Sequence, residues 1–159
     1  MSDGVMIEIS GDGATVEKLR AKRDQFGVVI NQTMQAVILA IKNQVVEQHL
    51  SGPTGPNSLS RKTGALARSV QVDVTTDGDV ITGRVFYTGD VIYARIHELG
   101  GDIYPVNAKA LRFMVGGKMV ITQHVRMPAR APMRTGFKER IPQSIDMLKA
   151  AITSVVAGQ

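Results

Sequence analysis

The chain has 159 residues, 43% of them hydrophobic, with no cysteine and a formal net charge of +5. That is about one domain's worth of sequence, with enough apolar residues for a core. It excludes disulfides, thiolate metal sites and cysteine nucleophiles; no apolar run is long enough to span a bilayer, and the opening MSDGVMIEIS lacks the basic-then-apolar pattern of a secretory signal.

With aromatics at only 4%, the core must be built from aliphatic residues and some of the eight methionines. Charge is unevenly spread. Residues 109–140 hold Lys109, Arg112, Lys118, Arg126, Arg130, Arg134, Lys138 and Arg140 against Glu139 alone. Such a bias favours an anionic partner, either nucleic acid or an acidic protein surface. The simpler reading is solubility plus local ion pairs.

In chain order, Val5, Ile7 and Ile9 alternate as a short strand or extended arm, residues 1–13, which Gly11 and Gly13 break. From Asp24 to Leu50 the apolar residues Phe26, Ile30, Met34, Ile38, Ile41 and Val45 recur at three- and four-residue spacing, which predicts a long helix. His49 at its end reads as a capping or surface residue. SGPTGPNSLSRKTG, residues 51–64, is a flexible loop; its glycines do not have the phosphate-loop spacing. Leu66 opens a helical turn. Val70, Val72 and Val74 alternate as a strand, Thr76-Asp77-Gly78-Asp79 turns, and 80–87 returns. Residues 110–115 and 118–125 predict a second hairpin about Gly116-Gly117. Ile141, Ile145, Leu148, Ile152 and Val155 share one face of a last helix, with Pro142 expected in its first turn and Phe137 in a preceding turn. The expectation is a single α+β domain, 1–159: a long N-terminal helix, an antiparallel sheet of about four strands, and a C-terminal helix packed on that sheet.

Chemistry is concentrated in YARIHELGG, residues 93–101. His97-Glu98 lacks the paired histidines of a zinc-protease helix, since position 101 is glycine. His124 would have to fold back on His97 and Glu98 to hold a metal, and no spacing demands it. Glu98 with Asp90 or Asp102 would make an acid–base pair, but no activated nucleophile stands beside them; Ser58 and Ser69 lie in no nucleophile elbow. We therefore expect no enzyme, no cofactor and no metal. The structural reading has Tyr93, His97 and Leu99 packing through a short helix that Gly100-Gly101 ends. Glu98 then caps backbone donors or pairs with an arginine such as Arg130, and His97 donates from one ring nitrogen and accepts at the other. In PARAPMR, residues 128–134, Pro128 and Pro132 stiffen the approach to the last helix and fix Arg130 and Arg134 for a carboxylate or a subunit boundary.

Three stretches in this order, RKTGALARSVQV (61–72), YARIHELGG (93–101) and MPARAPMRTGF (127–137), resemble the small tail-component proteins of tailed bacteriophages, also called virion morphogenesis or neck proteins. Thr63, Gly64 and Leu66 match the segment before the first strand; Tyr93, Ala94, His97, Glu98 and Gly100 match the central mark; Pro128, Ala129 and Arg130 match the segment before the last helix. There the chain departs from the pattern: Ala131 intervenes before Pro132, and Met133 replaces an aromatic.

The resemblance covers roughly residues 20–155. It implies a non-enzymatic subunit of a ring at the phage neck or head-proximal tail end, joining head and tail around the DNA passage. The implied location is the virion, after synthesis in the host cytoplasm. The implied partners are further copies of the chain, six being the number phage tail symmetry suggests, with head-closure or connector proteins on one side and tail tube or terminator proteins on the other. Tyr93, His97, Glu98, Gly100, Arg130, Pro132 and Arg134 are then structural or subunit-interface residues. Lys109 and Lys118 are the candidates to face packaged DNA, in non-specific contact. The alternative is a basic nucleic-acid-binding module; no membrane partner is expected.

Overall fold

The computed structural model describes residues 12–61, 63–89, 91 and 93–157. The expected arm strand at Val5, Ile7 and Ile9 lies outside the described residues, as does Asp90. The fold is α+β, with a long N-terminal helix, a long C-terminal helix and small antiparallel sheets.

Helix α1 runs Gly13–Gln44 and is 32 residues long, about 48 Å at 1.5 Å per residue. It starts eleven residues before Asp24, because Asp12 caps it: the Asp12 side chain accepts from the Ala14 amide at 3.3 Å, and its carbonyl accepts from Thr15. The extra turns carry Lys, Arg, Glu and Ala, which favour helix. Residues 12–28 are exposed throughout. The helix closes in a π-helical turn, Val45–His49.

The next elements are a short helix α2, Ala65–Ser69, and the hairpin β1, Val70–Asp77, with β2, Val80–Tyr87. Gly78 takes the positive φ that its two-residue turn needs. Helix α3, Ala94–Leu99, leads into β3, Gly101–Ile103; then come β4, Leu111–Val115, β5, Lys118–Thr122, and β6, Val125–Met127. Gly116 and Gly117, both at positive φ, join β4 to β5. Helix α4 runs Pro132–Ala157.

The sheet differs from the expectation of about four strands. Among the described residues there are three separate two-stranded ladders: β1 with β2, β3 with β6, and β4 with β5. The last two nest as one interrupted ribbon. Between them the outgoing chain spends residues 104–110 where the return spends only 123 and 124. Pro105, with no amide donor, sits in the longer side. Tyr104 stacks on His124 across this break, with ring centroids 4.9 Å apart, and His124 Nε2 bonds Asp102 at 2.7 Å.

The C-terminal helix also departs from its expected place. It packs along α1 and the π turn instead of on a sheet. One stripe of α1 serves both neighbours. Met34 and Ile38 lie against Gly83 of β2, while Val45 and His49 lie against Gly136 of α4. The core joins Val37, Ile41, Val45, Leu50, Ala67 and Val70, flanked by Leu66, Val85, Tyr87, Met133 and Leu148. Pro142 is not in the first turn of α4; it lies inside the helix, which begins ten residues earlier at Pro132 and takes in Phe137. Packing on α1 offsets the backbone hydrogen bond that Pro142 forgoes.

The close approach of α4 to α1 yields a test. A Cβ on Gly136 would stand 2.7 Å from Val45 Cγ2 and 3.1 Å from His49 Cδ2, whereas a Cβ on Gly27 in α1 meets nothing within 4 Å. Gly27→Ala is expected to stabilise by about 0.5–1 kcal/mol from helix preference. Gly136→Ala carries the same preference yet is expected to destabilise by about 1–3 kcal/mol through overpacking. Urea denaturation of both variants checks this; a gain at both positions would contradict the helix packing.

Candidate structural site

Six of the seven structural candidates converge on one corner. Helix α3 places Tyr93, at its start, one turn before His97, and the two rings meet edge to face at 6.1 Å. At the end of the helix, Gly100 has φ 69°, and its amide donates to the Ile96 carbonyl at 2.9 Å. A side chain there would strike the Ala129 amide at 2.7 Å and the Met127 carbonyl at 2.9 Å, so glycine is required by conformation and by space together.

The 128–134 segment then docks on α3. The His97 carbonyl, one of the orphan acceptors at a helix C-terminus, receives both the Arg130 amide at 2.9 Å and the Ala131 amide at 3.0 Å. This clamp holds Ala131 at φ 45° in the left-handed region, a strain of about 1 kcal/mol or more for a residue with a Cβ. Pro132 follows, buried, as the first residue of α4, where its missing donor costs nothing.

Glu98 completes the corner. Its Oε1 accepts from the Tyr87 hydroxyl at 2.9 Å and from the Met133 amide at 2.7 Å. The carboxylate thus caps α4 from another element, satisfying a free N–H of the first turn and facing the positive end of the helix dipole. Of the two roles expected for Glu98, this is the backbone cap; the Arg130 pairing does not form. Burial first, then the Glu98 charge and hydrogen bond, raises the Tyr87 hydroxyl far above the ordinary tyrosine range, so it stays a donor.

Arg130 turns the other way. Its Nη1 donates to the Gly55 carbonyl at 2.8 Å and the Ser58 carbonyl at 3.1 Å. The 51–64 segment is thereby tied to the corner, and a Gly55–Ser58 bridge closes its turn. Arg134 is exposed in the first turn of α4 and has no ion-pair partner among the described residues. Lys109 and Lys118 are exposed and belong to the β3–β6 ribbon, apart from the corner.

His97 does not bond at both ring nitrogens as expected. Its Nδ1 is buried without a partner, as is Arg130 Nε. Burial and then Arg130 lower the His97 pKa from 6.5, and Glu98 opposes them. His49 differs more. It is buried instead of being a surface residue: Nδ1 bonds the Asn57 carbonyl at 3.0 Å, and Nε2 bonds Glu139 Oε2 at 2.9 Å. Both partners are acceptors, so each ring nitrogen faces an oxygen that it can meet only as a donor. Gln44 Nε2 also donates to that Glu139 oxygen at 3.0 Å, and the His49 bond, then the Gln44 bond, lower the Glu139 pKa. Sequence reading missed Tyr87, Met133, His49 and Glu139. The available signals were a histidine in line with an apolar stripe and a tyrosine on the core face of a strand, each of which needs a polar partner when buried.

An open cavity of about 550 Å³ lies against the corner, lined by Leu59, Arg61, Tyr93, His97, Met127 and Arg130 among others. Among the described residues no three His, Asp or Glu side chains stand close enough to hold a metal, and no helix is long and apolar enough to cross a membrane. His97 faces Tyr93, while His124 bonds Asp102 on the ribbon. The corner's chemistry is that of a brace joining α3, β2, α4 and the 51–64 segment. No family model, curated protein or solved structure matches the chain.

Two outcomes follow. Glu98→Gln is expected to lower unfolding free energy by about 1–2 kcal/mol and Glu98→Ala by about 2–4 kcal/mol. Tyr87→Phe combined with Glu98→Ala should cost less than the sum of the two, because both remove one network. Denaturation of the four proteins measures it. Separately, a histidine whose folded pKa lies below its unfolded one binds fewer protons folded than unfolded. Stability is therefore full above the unfolded value of 6.5 and falls as pH drops from there towards the folded value. His97→Gln is expected to flatten the fall in stability as pH drops below 6.5; an unchanged slope would remove His97 as the cause.

Proposed function

We propose that the chain is a non-enzymatic structural subunit of a ring at the neck or head-proximal tail end of a tailed bacteriophage, joining head and tail around the DNA passage. The observation that carries the reading is the commitment of Glu98. The one acid of YARIHELGG has an oxygen engaged by both Tyr87 and Met133, inside a brace. A residue that holds two elements in register serves a part whose work is shape.

The surface supports the same reading. Among the described residues, twenty-two large apolar side chains are exposed against nine buried apolar ones. A free monomer seldom keeps so much apolar surface in water, and association would bury it. The first turns of α1 and the β4–β5 ribbon project with little packing from the rest of the chain. In this proposal further copies of the chain cover them, six being the number the resemblance suggests, with connector and tail-tube proteins above and below. Arg134, without an ion-pair partner among the described residues and at the positive end of α4, belongs at a subunit boundary in this proposal. Lys109 and Lys118 are placed facing the lumen, in non-specific contact with packaged DNA.

One observation favours the alternative, a basic nucleic-acid-binding module. Residues 104–127 hold Lys109, Arg112, Lys118 and Arg126 and no acidic residue. The two readings part in solution. Light scattering across concentration and salt is expected to find a discrete closed oligomer. A strict monomer that binds duplex DNA with steep salt dependence would favour the module instead. Within the ring reading, charge reversal at Lys109 and Lys118 that left DNA retention intact would remove them from the lumen.

A further inference from the structure

The β4–β5 ribbon has two unlike faces. Direct cross-strand pairing puts Leu111, Phe113, Val115, Lys118, Val120 and Thr122 on one face and Arg112, Met114, Met119 and Ile121 on the other. The second face is the more open: Met114 is 59% exposed, Met119 63% and Ile121 59%. Two methionines directly opposite each other at the end of a projecting ribbon form an adaptable apolar tip. Its charge, Arg112, has no ion-pair partner among the described residues.

A complementary surface lies elsewhere on the same chain. Where the β1–β2 tip diverges from α1, an open cleft of about 1030 Å³ remains. Its apolar lining comes from Phe26, Ile30, Met34 and Ile81, and Asp24 and Asp79 stand among its lining residues. Asp77 and Asp79 at the hairpin tip have no ion-pair partner among the described residues, and Arg23 is held by Asp24 at 3.3 Å. Asn31 Nδ2 donates to Thr76 Oγ1 at 3.0 Å and fixes the hairpin tip against the helix.

We propose that the β4–β5 tip of one copy seats in the α1/β1–β2 cleft of the next, with Met114 and Met119 on the apolar lining and Arg112 against Asp79. The inference rests on the ring reading and names its subunit contact. Opposite charges flank apolar surfaces on the two sides, which is the arrangement that fixes register and rejects wrong partners. The two patches differ, so the contact is head-to-tail, the kind that repeats into a closed ring when its rotation permits. Duplex DNA is a poorer occupant for this face: phosphates reward cations, and three of the four side chains here are apolar.

The chain has no cysteine, so disulfide trapping is clean. Met119→Cys and Ile30→Cys variants, mixed and mildly oxidised, are expected to give a reducible dimer joining one of each. Arg112→Asp is expected to weaken wild-type association about tenfold or more by light scattering, and adding Asp79→Arg in the same chain to recover most of the loss. Met119→Cys that pairs only with itself would mean a two-fold ribbon contact and overturn the proposal. An oligomer that persists in Arg112→Asp, with no mixed dimer, would leave the ring standing and overturn this contact alone. A wild type that stays monomeric throughout would remove the ring reading, and the contact with it.

Discussion

The structure depends on one stripe of α1. Met34, Ile38, Ile41, Val45 and His49 recur along it at three- and four-residue spacing, and two neighbours must bury against it. The β1–β2 hairpin takes the middle and α4 takes the end. Each comes close through a glycine, Gly83 on β2 and Gly136 on α4. Neither neighbour has much else to bury against, because the core is a cluster of small and medium aliphatic residues. At about 1.5–3 kcal/mol for each fully buried Val, Leu or Ile, such a core supplies modest stabilisation to a chain of this length. That shortage gives the polar braces their weight. His49, Gln44 and Glu139 tie the end of α1 to α4, and Glu98 ties α3 and β2 to the start of α4.

The two braces use charge in different ways. Glu98 faces donors only, a hydroxyl and a helix amide, so its negative charge is met by hydrogen bonds and a dipole without a cation. Glu139 meets His49 across the helix pair, and its bonds to His49 and Gln44 favour the ionised carboxylate. Protonating Glu139 therefore withdraws support from the helix pair as pH falls through its folded pKa, a window below the ordinary carboxylate value.

Local signals in the sequence were the readable ones. Alternation marked β1 and β2, paired glycines marked the β4–β5 turn, and the period of α1 marked its packed half. Gly100, Glu98 and Pro132 were identifiable as structural residues because their neighbours in sequence gave each a local task. What escaped was set by contacts distant in sequence. Nothing near Pro132 reveals that Glu98 will cap the helix it starts, so Pro142 looked like the better beginning. Nothing in β3 reveals that its partner is β6, because the nested ribbon is decided by what 104–110 and 123–124 do between the ladders. The apolar face of α4 gave the helix but not its neighbour: a stripe states that something must be covered, not by what.

The same reasoning applies to the stripes left outside. On α4, Gly136, Ser144 and Val155 are buried, while Phe137, Ile141, Ile145 and Ile152 stay between 37% and 45% exposed. The helix thus packs on α1 partly through small residues and leaves its larger ones beside the contact. On α1 the exposed Val16, Leu19 and Phe26 continue, at helical spacing, the line that is buried from Val37 onward. A sequence selected only for a stable monomer has no reason to extend an apolar stripe some four turns past its last partner, since exposed apolar residues there add little to the fold and favour aggregation. A sequence whose copies complete one another does have a reason. In the proposed ring the extension would belong to a second core formed between subunits, with the first core as one part of the total.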